Sequence, residues 1–250
     1  MRKNLLIIII FIITSVISYS QIVVDNGAFL NNTEKSKLIK QTENIEKETS
    51  VEILIFTTKS LNGKTPLEYG KNLFIKYKVG IKGVNNGIII LLSKNDRKMQ
   101  ILTGFGMEWI ISNKKAQEMI NNMIPYFKKN DYFTGVSKSL STIYNMNSNV
   151  DWRIYSENLD KVNNEYNGKI IKFKFENSDK NTKFKYAIEN DEQYSTEFKI
   201  QLGNDYNNFN LYYSKYMNEL ISKILTKSEI IIFARIKDFK SKKIELIGIE

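Results

Sequence analysis

The 250-residue chain contains no cysteine and no histidine. Without imidazole or thiol there is no histidine base, no cysteine nucleophile and no ordinary zinc site. No disulfide can form. Any metal would have to be a hard cation held by carboxylate, amide and carbonyl oxygens, as calcium and magnesium are. Long apolar runs are also scarce. The one present, Leu5 to Ile17, follows Arg2 and Lys3 and precedes the small-residue site Ser18-Tyr19-Ser20. That pattern predicts a secretory signal peptide over 1–20, cleaved near Gln21 and too short for a comfortable membrane span. With no cysteine at the cleavage site a lipidated terminus is excluded. No later segment is apolar enough to cross a bilayer, so the reading is of an exported protein, periplasmic or secreted.

The formal net charge is +10. Residues 21–145 carry 18 basic and 11 acidic side chains, against 17 and 16 in 146–250. The basic excess of the first part is dispersed lysine, without arginine clusters or interleaved aromatics. It favours anions or envelope surfaces over nucleic acid.

The most informative stretch runs from Val79 to Trp109. Ile88 to Leu92 is a short, largely β-branched apolar run, read as a strand buried on both faces. Asn95 and Asp96 turn it back into a second strand, Met99 to Thr103. Asn85-Asn86-Gly87 precedes this hairpin and Gly104 and Gly106 follow it. Around it the spacing predicts a helix over 33–47, a strand over 51–57, and a helix opened by Thr65, Pro66 and Glu68. Two further helices are expected after Ser112 and Asp131, with Pro125 kinking or ending the first. The polar run 145–149 marks a boundary. Beyond it, alternation predicts strands over 169–176, 183–189, 198–202, 229–237 and 243–249, and a helix bearing Tyr213, Tyr216, Leu220 and Ile224.

Taken together, Val24-Asp25 before the first helix, Val79 to Gly87, Asn95 to Lys98, Gly104-Phe105-Gly106-Met107-Glu108 and Asn130-Asp131-Tyr132-Phe133-x-Gly135 resemble the TPM-domain family over residues 22–146. The family includes the thylakoid lumen acid phosphatase of plants and bacterial envelope proteins. The resemblance implies an α/β fold, a Rossmann-like three-layer α-β-α sandwich at 21–146; residues 151–250 lie outside it, and their alternating strands with one helix are read as a smaller α+β domain. The resemblance also implies convergence of Asp25, Asn85, Asn86, Glu108 and Asp131 as ligands of calcium or magnesium, with Asp25, Glu108 and Asp131 catalytic if the protein is an enzyme. Two positions depart from the family pattern: Asn85 stands where an acid is common, and Asn113 where an Asp often follows the Gly-x-Gly-x-Glu turn.

Each candidate has a plainer role. Asp25 and the two asparagines suit turns, Asp131 suits a helix cap, and Arg97 a solvated hairpin tip. Glu108, beside two glycines and Trp109, is the carboxylate with the strongest case for seeking a cation. Ser112-x-x-Lys115 matches a nucleophile spacing but reads as a cap. The chain is therefore expected to be an exported envelope scaffold or interaction module that recognises a protein partner and binds a divalent cation. The alternative is a metal-dependent acid phosphatase acting on phosphate esters.

Overall fold

The structure is a computed structural model that describes residues 22–155, 163–176, 187–190, 193–202, 205–214, 217 and 229–250. The expected signal peptide lies outside the described residues. The first part of the chain follows the order β1 (Val23–Asp25), α1 (Asn32–Thr49), β2 (Ile53–Thr58), α2 (Pro66–Tyr77), β3 (Ile88–Ser93), β4 (Lys98–Thr103), α3 (Asn113–Phe127) and α4 (Tyr132–Asn147). Helices begin where a side chain can take up a free backbone N–H. Asn31 and Thr65 each form a reciprocal capping box, with Glu34 and Glu68, and each box closes two N–H groups that would otherwise lack partners. Ser112 and Asp131 cap α3 and α4. Pro125 falls in the last turn of α3, which ends two residues later.

β1, β2 and β3 are parallel and β4 returns antiparallel to β3, giving the order β1-β2-β3-β4. Period-two alternation divides these strands between two cores. Ile53, Ile55, Ile88, Ile90 and Ile101 pack with α1, α3 and α4 on one face. Leu54, Phe56, Ile89, Leu91 and Leu102 pack with Leu73 of α2 on the other, with Tyr69 and Tyr77 at its margin. Burial on both faces explains why β3 is apolar without interruption. The expected three-layer sandwich is the observed one.

After α4 the chain forms β5 (Ile154–Tyr155), β6 (Ile170–Glu176), β7 (Ala187–Asn190), β8 (Gln193–Leu202), β9 (Asp205–Ser214), β10 (Glu229–Asp238) and β11 (Lys243–Ile249). They make a second sheet in the order β5-β6-β10-β11-β9-β8-β7. The helix expected at Tyr213 is corrected there: Tyr213 is a buried residue of β9, paired with Tyr194 of β8. The remaining positions of that expected helix, Tyr216, Leu220 and Ile224, lie outside the described residues, as do 183–186 of the expected strand over 183–189. The second sheet shares a core with the first, since Trp152, Ile170, Phe233 and Ile247 belong to the same buried cluster as Val84, Met107 and Ile111.

Candidate functional site

The parallel strands decide which of the five polar positions can meet. Asp25 is in register with Thr57, and Thr57 with Leu92, so Asp25 lies level with the carboxyl end of β3. Asn85 and Asn86 precede β3 at its amino end. A strand of that length, at about 3.3 Å per residue, puts on the order of 15 to 20 Å between them. Glu108 joins the asparagines, because β4 ends opposite Ile88 and the Gly106 N–H donates to the Asn85 carbonyl at 3.1 Å. Asp131 joins Asp25, because the ring of its neighbour Tyr132 meets Phe29 edge-on at 4.6 Å. The expected five-residue site is thus split between opposite ends of the sheet. Among the described residues no group of three or more acidic side chains could hold a metal ion.

At the carboxyl end the carboxylates are occupied by backbone. Asp25 accepts from the Phe29 and Leu30 N–H groups, each at 3.0 Å, and from the Thr57 hydroxyl, so it organises the turn into α1. Asp131 accepts from the Thr134 N–H at 3.1 Å as the cap of α4. Nearby, Asp96 accepts from the Ser93 hydroxyl and the Leu61 N–H, and these bonds hold its carboxyl below the usual range.

At the amino end the asparagines act as clips. Asn86 is fully buried; its Oδ1 accepts from the Ile81 N–H at 2.9 Å and its Nδ2 donates to the Ser50 carbonyl at 2.7 Å. Asn85, with φ +54°, donates through Nδ2 to the Ile247 carbonyl of β11 at 2.9 Å. The second sheet therefore sits on these turns. Gly83 lies against the Phe233 ring, and Gly248 against the Gly83 carbonyl. Lys82 reaches Glu250 at 2.5 Å. A hard cation needs six or more oxygens around it. These residues do not fit that requirement as a set, because three of the five already hold backbone N–H groups with their side-chain oxygens and the set is divided.

Two other sequence candidates resolve simply. The Ser112 hydroxyl accepts from the Lys115 N–H, while the Lys115 ammonium pairs with Glu118 at 3.0 Å. Arg97 is exposed at the hairpin tip with φ +49°. A groove of about 700 Å³ between α3 and α4, lined by Met119, Asn122, Tyr126, Lys129 and Lys138, contains none of the five.

The family model described as the TPM domain matches residues 23–146. Residues 23–146 are a TPM domain. Among solved structures it is similar to the N-terminal domain of a P. gingivalis protein, 25% identical, covering 51% of this chain and 82% of that one with a TM-score of 0.46. It is also similar to the BA42 protein of the psychrophilic bacterium Bizionia argentinensis, 19% identical, covering 47% and 81% with a TM-score of 0.43. A third similar structure is the N-terminal domain of a Corynebacterium glutamicum protein, 13% identical, covering 56% and 88% with a TM-score of 0.43. No curated protein matches. Among the described residues no helix is long and apolar enough to cross a membrane.

Sequence reasoning passed over the residues that join the TPM domain to the second sheet. Ile231, Phe233 and Arg235 alternate along β10, and Ile231 and Phe233 belong to the shared core. Arg235 is 2% exposed, with its guanidinium carbon 3.6 Å from the centroid of the Trp109 ring and 5.0 Å from that of Trp152. Burial pulls this guanidinium down to about 10, opposed by the charge of Glu245, its register partner on β11. Burial pushes the Glu245 carboxyl up. One signal was in the sequence: an arginine inside the apolar strand 229–238, in a chain with only four arginines and two tryptophans.

Proposed function

We propose that this chain is an exported, non-catalytic interaction module of the cell envelope, a TPM domain whose amino-end turns are occupied by its own second sheet. The observation that carries the reading is the division of the five polar positions between opposite ends of the sheet. A phosphate-ester hydrolase needs its base, its electrophile and its reacting phosphorus within a few ångströms of one another. Asp25 and Glu108 are separated by the length of β3, and Asn85 holds β11. No cation is assigned a role.

The carboxyl end of the sheet is the face offered to a partner. Phe29 and Tyr132 meet edge to face there, Lys94 lies over Phe29, and Lys37 lies over Phe133. Aromatic rings flanked by lysines suit an acidic protein surface. Export is supported by the basic start, apolar run and small-residue site of residues 1–20.

The test uses residues 21–250 with a generic phosphate ester, from acidic to neutral pH, in calcium, magnesium or chelator. The expected result is no turnover above the protein-free blank. Metal-dependent turnover that Glu108→Gln abolishes would overturn the proposal and establish the hydrolase.

A further inference from the structure

The junction between the two sheets holds a charge that packing alone does not explain. Among the described residues, Nε, Nη1 and Nη2 of Arg235 have no hydrogen-bond partner, and neither does the buried Nε1 of Trp152. Trp109 lies at stacking distance from the guanidinium and Trp152 lies to its side, the two indole rings 6.5 Å apart and tilted by 60°. Such stacking is favourable to a cation. Stacking on Trp109 gives the N–H bonds in the guanidinium plane no hydrogen-bond acceptor. A buried donor without an acceptor is costly, more so when it is charged.

The chemistry of these groups is one-sided. Guanidinium and indole N–H groups donate only. What they lack is an acceptor, and the guanidinium fork matches two oxygens on one atom. Trp109 is 38% exposed although it lies directly on the guanidinium, so one side chain separates the buried charge from solvent.

We propose that Arg235 and Trp152 Nε1 form an oxyanion pocket at the junction of the TPM domain and the second sheet, taking a carboxylate or phosphate group, with Trp109 as its outer wall. Glu245 faces the same guanidinium across β10 and β11 and tunes how strongly an anion is held. The pocket is distinct from the five family positions, and it holds whether or not the TPM domain has any catalytic activity.

The chain's only two tryptophans are Trp109 and Trp152, so tryptophan emission, excited selectively over that of the tyrosines, reports on this site. The protein of residues 21–250 is titrated with sodium acetate or sodium phosphate, each against sodium chloride at matched ionic strength and pH. The expected result is a saturable change in tryptophan emission in at least one arm, with a rise of a few degrees in melting temperature in the same arm. Saturation with acetate alone assigns a carboxylate, and saturation with phosphate a phosphate. Arg235→Lys, which keeps the charge but not the fork, is expected to weaken the response at least tenfold. Trp109→Phe, which leaves the guanidinium intact, retains the melting shift and loses much of the emission change. It also keeps the test readable if the arginine variant does not fold. A wild-type response that is absent in both arms, or that a folded Arg235→Lys variant leaves unchanged, would overturn the proposal.

Discussion

Asn86 illustrates how a residue that looks like a ligand can be fully engaged by its own backbone. It is inaccessible to solvent and bridges Ile81 to Ser50. Asn86→Ala removes two buried hydrogen bonds and strands their partners, so a loss of roughly 2 to 4 kcal/mol is expected in urea denaturation. Asp96 gives the pH counterpart. Its folded carboxyl is held low by Ser93 and Leu61. The charged form is therefore favoured in the folded state. Its contribution is complete above the ordinary carboxylate range and fades as pH falls toward the lowered folded value. A melting-temperature scan below about pH 4 should fall more steeply for the wild type than for Asp96→Asn. At this scale the sequence identified the polar residues well, but their partners come from register. Neither the separation of Asp25 from Glu108 nor the contact of Asn85 with Ile247 is visible until strand order is known.

Helices were legible because their signals are local. Thr65, Pro66 and Glu68 specify the start of α2 within four positions, and Asn31 with Glu34 does the same for α1. Asn31→Ala is expected to cost about 1 kcal/mol, read from thermal or urea melts. The reverse turn at the amino end depends instead on close approach. A methyl group on Gly106 would run into the Val84 carbonyl oxygen, and one on Gly104 into that of Asn85. Gly106→Ala should therefore lower stability by roughly 3 kcal/mol or more, whereas Gly63→Ala, with φ +80° and open space around it, should cost about 1. β9 was misread for the opposite reason. Tyr213, Tyr216, Leu220 and Ile224 recur at helical spacing, but Asp205 to Ser214 pairs with β8 along its whole length and with β11 on its other side. Pairing with distant strands outweighs local periodicity, and no local window contains it.

Across the whole molecule, the boundary expected near 145–149 marks the end of α4 and leaves the buried core continuous beyond it. Trp152, Phe233 and Ile247 pack against Val84 and Met107 of the TPM domain. Phe233→Ala should cost roughly 3 to 5 kcal/mol by leaving a cavity over Gly83. A fragment ending at 150 should melt below the intact chain and bind a hydrophobic dye that the intact chain does not. The α/β sandwich was legible because its strands and helices alternate at short range; the capping of one end by a distant sheet was not.

β11 lies between β10 and β9, so the latest strand of the second sheet in chain order occupies an interior place within it. During synthesis the β6–β10 pair and the β7-β8-β9 meander can each form early, yet they stay apart until residues 243–249 are delivered. Until then Val84 and Met107 lack their cover, and a chaperone has a period in which to hold the nascent chain. A chain without residues 243–249 would leave both halves unjoined, with unpaired edges that invite aggregation.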